Sequence, residues 1–267
     1  GLESMLSKFD AANGGTGIVM EVSTGAIRGM ASYPNYDSNQ SGVLYDEKLK
    51  AKLEKQLEDI EKDRDKYAEQ DAAEAAAREA AGIEDDGEER VSAYEKAVTK
   101  AKDDARQSQW RNKCIDSTYE PGSTFKPITL AAALEEGVIN MNSTFDCSGS
   151  LMVKGWDKPF NCSRAAPGHG HQSLEEAVGN SCNPAFIKIG QAVGTSKYYE
   201  YLKAFGLMEK TNVDMIGEVH GDFAGEKEFN SNLVSLASYS FGQTFTVTPL
   251  ELIRAQAACI NGGYLYE

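Results

Sequence analysis

The chain has 267 residues, of which 41% are apolar and 9% aromatic, enough for one large domain with a full core plus an insertion. A formal net charge of -14 argues against nucleic acid or an anionic membrane surface as partner, since either would repel the chain. No run of about 18 apolar residues occurs, and the opening Gly1-Leu-Glu-Ser-Met-Leu6 lacks the basic and apolar regions of a signal peptide, so any anchor or leader belongs to residues outside this sequence.

In chain order, Leu2, Met5, Leu6 and Phe9 form one stripe of a short amphipathic helix over residues 1–13, stopped at Gly14-Gly15. Residues 17–22 read as an apolar strand, Ser23-Thr-Gly25 as a tight turn and residues 26–31 as the returning strand. From 44 to 106 the composition shifts to Lys, Glu, Asp and Ala. Leu49, Leu53, Leu57, Ile60 and Tyr67 recur at helical spacing, residues 82–87 form an acidic break, and Val91, Tyr94 and Val98 carry a thinner stripe, so the pattern predicts a helical hairpin. This block holds roughly half of the net negative charge and suits a solvated, partly coiled-coil arm, either a spacer or a docking arm.

The segment Tyr119-Glu-Pro-Gly-Ser-Thr-Phe-Lys-Pro-Ile128 is the strongest candidate for chemistry. Pro121 and Gly122 break the preceding chain, and Pro127 is tolerated only in a first turn, so a helix is predicted to begin close to Ser123. Positions i and i+3 share a face, which places the Lys126 amine within reach of the Ser123 hydroxyl. A serine attacks at neutral pH only when a base removes its proton, and an amine can be that base if burial lowers its pKa. The other reading of the pair is a serine and a lysine on the surface of an ordinary helix. The run Ile128–Leu134 would bury the helix, and Gly137-Val-Ile-Asn140 ends it.

Residues 141–170 read as a loop. Cys147, Cys162, His169 and Cys182, with His171 beside them, are ligand types that suit zinc, although the spacing is not the compact C-x-x-C of a zinc finger. Three readings stand side by side: a closed zinc site of Cys147, Cys162, His169 and Cys182, with His171 as substitute for His169; a Cys147–Cys162 disulfide suited to an oxidising compartment; and buried free thiols. Five cysteines leave at least one thiol free under the second.

Ser173 with Glu176 three residues later has capping-box spacing and opens a helix to Val178. Asn180-Ser-Cys-Asn183 then lies between helices, because Pro184 disfavours helix at Asn183 and can start the next one, over 185–190. In an extended segment Ser181 and Asn183 face the same side; a plain helix cap is the commoner use of such a pair. Residues 198–205 are predicted as a helix stopped by Gly206, followed by a loop. Thr248 and Pro249 then start a helix that runs to the terminator Asn261-Gly-Gly263.

The block Glu120-Pro-Gly-Ser-Thr-Phe-Lys-Pro127, followed by Ser181-Cys-Asn183, resembles the S-x-x-K and S-x-N motifs of class B penicillin-binding proteins, the cell-wall transpeptidases. Residues 16–22, Thr24-Gly25, Met30–Pro34, Gly242-Gln243 and Val247–Leu250 are similar to other words of that domain. The resemblance stops near Asp37 and resumes at Arg111. It implies an α/β (α+β) fold of the penicillin-binding transpeptidase and β-lactamase type, a sheet flanked by helices, with residues 1–43 and 107–267 forming the domain and 44–106 inserted in it. It implies a peptidoglycan D,D-transpeptidase that crosslinks stem peptides through a serine acyl-enzyme and binds β-lactam antibiotics at the same serine. Ser123 would be the nucleophile, Lys126 the base, Ser181 a proton relay and Asn183 a holder of the substrate amide. Clostridial members with such cysteine-rich loops imply structural zinc, with no cofactor needed for the serine chemistry, and a sporulation-specific type. The implied place is the extracytoplasmic face of the cell membrane, with a glycosyltransferase or a division or sporulation protein as partner and no nucleic acid. The family's third motif, K-T-G, is absent: Lys210-Thr-Asn212 is the near match and lies too soon after Ser181, so the chain is expected to be an incomplete catalyst. A non-catalytic scaffold or a β-lactam sensor of the same fold is the alternative.

Overall fold

The computed structural model describes residues 14–83 and 90–267, together with Ser4, Met5 and Lys8. All but Ser4, Met5 and Lys8 of the amphipathic helix expected over residues 1–13, and most of the acidic break at 82–87, lie outside the described residues. The chain divides into two compact units, one of residues 1–15 and 32–111 and the other of residues 16–31 and 112–267.

Among the described residues the first unit carries the long helices α1 (Glu47–Lys62), α2 (Arg64–Ala80) and α3 (Ala93–Trp110). The first arm of the expected hairpin is therefore broken at Asp63, which ends α1 and precedes α2 with φ -89° and ψ 12°, outside the helical well. Asp46 caps α1, and Ser92 with Glu95 forms a full capping box on α3. Ile60 is buried, Tyr67 meets Tyr94 edge-on at 6.3 Å, and the Tyr94 hydroxyl donates to Glu61. The Gln109 side chain closes the base, donating to Val43 O and accepting from Tyr45 N.

The second unit begins with the strand pair β1 (Gly15–Met20) and β2 (Ile27–Tyr33). Its turn is closed by Gly25 N to Glu21 O, with Gly25 at φ 73°. Ile18, Met20 and Met30 pack on Cys114, Ile115 and Leu250. Then follow α4 (Lys113–Asp116), α5 (Lys126–Glu135), β3 (Thr144–Cys147), β4 (Ser150–Leu151), β5 (Phe160–Asn161), β6 (Gly170–Ser173), α6 (Leu174–Gly179), α7 (Asn183–Val193), α8 (Thr195–Ala204), α9 (Glu226–Asn230), α10 (Leu233–Tyr239) and α11 (Pro249–Ile260). The stretch read as a loop contains two antiparallel pairs, β3 with β6 and β4 with β5. Likewise α9 and α10 occupy part of the expected loop after Gly206. These pieces are too short to leave a periodic signal.

The core forms around α7, whose Pro184, Ala185, Phe186, Ile187, Ile189 and Gly190 are all buried, while Gln191 and Ala192 near its end stay exposed. One cluster joins it to β3, α6 and the buried thiols. A second packs Phe125 and Ile128 against Tyr198, Phe229, Tyr239 and Phe245. Beneath α5, Thr129 Oγ1 lies 2.7 Å from the Tyr198 hydroxyl and donates to Ser240 O at 3.0 Å, so the buried hydroxyls are paired.

Candidate active site

Gly122 at φ 57° turns the chain after Pro121, and its N–H donates to Gly242 O at 2.7 Å. Residues Gly122–Phe125 form a 3₁₀ turn, and the α-helix starts at Lys126, with Pro127 in its first turn. The helix thus begins three residues later than expected. The tighter turn still serves the chemistry, because at three residues per turn positions i and i+3 eclipse. Ser123 is exposed while Lys126 is 4% exposed, and Lys126 Nζ lies 3.1 Å from Ser123 Oγ.

Three more oxygens surround the same nitrogen: Ser181 O at 2.7 Å, Ser181 Oγ at 2.8 Å and Asn183 Oδ1 at 2.8 Å. The carbonyl of Ser181 and the amide oxygen of Asn183 can only accept. They use the two N–H bonds of a neutral amine, which leaves its lone pair to accept a proton from a hydroxyl, either Ser123 or Ser181. Burial favours that neutral form and lowers the Lys126 pKa to about 8, against a smaller opposing pull from Cys162 and Cys182. The Phe186 ring, 5.2 Å from Nζ, walls off one side.

Ser181 does not lie in the extended segment expected from the sequence. Its φ is 48°, in the left-handed region, and this bend aims its carbonyl and its hydroxyl at the same lysine. The bend is held by Ser181 N to Val178 O and Cys182 N to Ala177 O, which close α6. Asn183 opens α7, and its Nδ2 donates to Asn161 O at 3.0 Å, which fixes the amide oxygen toward Lys126. So Ser123, Lys126, Ser181 and Asn183 converge on one nitrogen. Sequence reasoning missed Asn161, whose contribution is a backbone carbonyl and carries no residue signal. It also missed Glu120, which accepts from Thr244 N, where Thr244 holds φ 67° beside the Gly122–Gly242 contact.

The second constellation adjoins the first through Cys182, which lies between Ser181 and Asn183. Among the described residues the donor atoms of Cys147, Cys162, His169 and Cys182 all lie within 4.8 Å of one another. Cys162 Sγ is 3.5 Å from His169 Nδ1 and 4.0 Å from Cys182 Sγ. A tetrahedral zinc with bonds of about 2.0–2.3 Å requires ligand separations of about 3.5–3.8 Å, which the Cys162–His169 pair meets and the wider pairs approach to within about 1 Å, so the donor set fits after a small closure. All five cysteines are free thiols. Burial alone would raise the Cys162 pKa, but backbone N–H groups of Arg164 and Asn183 outweigh it and draw the thiol below its usual value. Burial pushes Cys182 up to about 12, with Cys162 adding like charge. A thiol of this kind must give up its proton before it can serve as a metal ligand. His171 stands apart, exposed and paired with Asp146 at 2.9 Å. Lys210-Thr-Asn212 is folded around the Glu218 carboxylate, which accepts from Thr211 N and Asn212 N.

Residues 15–267 match the family described as "Penicillin binding protein transpeptidase domain". Stage V sporulation protein D of Bacillus subtilis (strain 168) is 43% identical over 157 residues, 58% of this chain and 24% of that protein. Peptidoglycan D,D-transpeptidase FtsI of Escherichia coli (strain K12) is 29% identical over 147 residues, 55% of this chain and 24% of that protein. The chain thus spans about a quarter of the length of these curated relatives. Among solved structures, the transpeptidase domain of Burkholderia pseudomallei penicillin-binding protein 3 matches with a TM-score of 0.65 at 18% identity, over 99% of this chain and 55% of that one. That likeness establishes a shared mixed helix and strand fold.

Proposed function

From the premise that this chain belongs to the penicillin-binding protein transpeptidase family, we propose that it carries the serine chemistry of a peptidoglycan D,D-transpeptidase. The observation that carries this reading is the single lysine nitrogen shared by Ser123, Ser181 and Asn183.

Neutral Lys126 takes the Ser123 proton as Oγ attacks the carbonyl of the penultimate D-Ala of a stem peptide. The tetrahedral adduct collapses, the C–N bond to the terminal D-Ala breaks, and the leaving nitrogen receives the proton from Lys126 through the Ser181 hydroxyl. Asn183 holds the donor peptide's amide. An amine of a neighbouring stem peptide then attacks the Ser123 ester, its proton passes to Lys126, and the ester C–O bond breaks as Ser123 regains a proton. Atoms balance: one peptide bond is exchanged for another and one D-Ala leaves. A β-lactam acylates the same serine, but its leaving nitrogen stays tethered and blocks the acceptor amine.

We further read Cys147, Cys162, His169 and Cys182 as holders of a structural zinc. When bound it would supply a closed four-coordinate staple between the cysteine loop and the Ser181 segment. The likeness to stage V sporulation protein D supports a sporulation role, and peptidoglycan as substrate supports action outside the cytoplasm. The charged block at 44–106 remains a candidate arm for a sporulation or division partner.

The test is incubation with a synthetic stem pentapeptide ending in D-Ala-D-Ala plus a D-amino acid as acceptor, followed by mass spectrometry. The expected result is exchange product with equimolar free D-Ala, both lost in Ser123→Ala. A folded wild-type protein that includes the family's K-T-G strand and still releases no D-Ala would sink the proposal.

A further inference from the structure

Gln172 is 2% exposed and lies on β6, opposite Phe145 of β3. Its Oε1 accepts from Asn180 Nδ2 at 3.1 Å, an amide pair that sets the two side-chain orientations together. Nε2 is then the end turned inward. It is buried with no acceptor in bonding geometry among the described residues, and it lies against the Cys182 thiol. Leaving a buried amide N–H unpaired is costly, and native interiors rarely do so. A protonated thiol is a poor acceptor; a metal-bound thiolate sulfur is a good one.

We propose that Gln172 is a positioning residue of the thiol site: its Nε2–H donates to the Cys182 sulfur once that sulfur is a metal ligand, and its Oε1 ties the same ligand to Asn180. This rests on the reading of Cys147, Cys162, His169 and Cys182 as a zinc site. The consequence reaches beyond the metal. Asn180 and Cys182 flank Ser181, so one side chain grips the left-handed turn on both sides. Outer hydrogen bonds of this kind orient ligand atoms, and their loss typically costs about 10–100-fold in metal affinity.

The experiment is zinc affinity by competition with a chromophoric chelator, for wild type and Gln172→Met, which keeps the volume and removes both polar ends. The expected result is affinity about 10–100-fold weaker in Gln172→Met. An affinity within twofold of wild type overturns the proposal. Because the variant could misfold, wild type loaded with cadmium-113 gives a second readout. A scalar coupling between the Gln172 Nε2 proton and the metal is expected across the N–H···S bond, and its absence in the loaded protein overturns the proposal. If wild type binds neither metal, the zinc reading itself fails, an outcome distinct from both.

Discussion

Replacing Asn183 by aspartate tests whether Lys126 works as a neutral base. The substitution puts a carboxylate where the amide oxygen now lies 2.8 Å from Nζ. With a pKa of about 8, Lys126 is neutral in about one molecule in eleven at pH 7. An opposite charge at this distance favours the ammonium and shifts a pKa by about one to three units. The sign is upward, so at pH 7 the neutral fraction falls to about one in a hundred or less. Acylation by a fluorescent penicillin, followed as a second-order rate from pH 6 to 10, should therefore fall about tenfold or more at pH 7. The wild-type rate rises with pH to a plateau above about 8, whereas the Asn183→Asp rate keeps rising past pH 9. Losing the N–H to Asn161 O and the substrate contact adds a deficit that does not depend on pH, and Asn183→Ala measures it. A profile for Asn183→Asp with the wild-type midpoint would refute the assignment of Lys126 as the titrating base.

Gly242→Ala should cost about 1–3 kcal/mol and slow acylation at least about tenfold, because its Cβ would stand 1.9 Å from Gly122 O, next to Ser123. Gly263→Ala, with a similar φ of 91° and open space around it, should lose about 1 kcal/mol in urea unfolding and leave acylation unchanged. Tyr198→Phe removes a buried hydroxyl bonded to Thr129 and should lower stability by about 1–2 kcal/mol, read as a shift in the urea midpoint at constant slope. Elemental analysis should find one zinc per chain, reduced in Cys147→Ser. At a thousandfold excess over Kd, zinc should add about 4 kcal/mol, a rise in Tm on the order of 10 °C that a chelator reverses.

The sequence made the caps, the hairpin and the motif order legible, because each rests on a local rule. Ser173 with Glu176 and Thr248 with Pro249 start helices where expected, since a cap satisfies donors within four residues of itself. It failed where geometry comes from long-range contact. Nothing local announces that Ser181 takes a positive φ; that conformation is fixed by the end of α6 and by the lysine it faces. The helix α10 was missed because Leu233-Val-Ser-Leu-Ala-Ser-Tyr239 is short and poor in strong helix formers, and burial of Leu236 and Tyr239 decides it. The four thiol-site donors come from loop, strand and helix cap, 36 residues end to end, so their proximity is a property of the fold.

The most direct test of the central claim is the intact mass of the protein after incubation with a penicillin, for wild type and Ser123→Ala in parallel. The account predicts the added mass of one antibiotic on wild type, mapped to the peptide bearing Ser123, and none on the variant. An adduct that persists in Ser123→Ala, or a folded wild type that includes the K-T-G strand and stays unlabelled across pH 7 to 9, would contradict it.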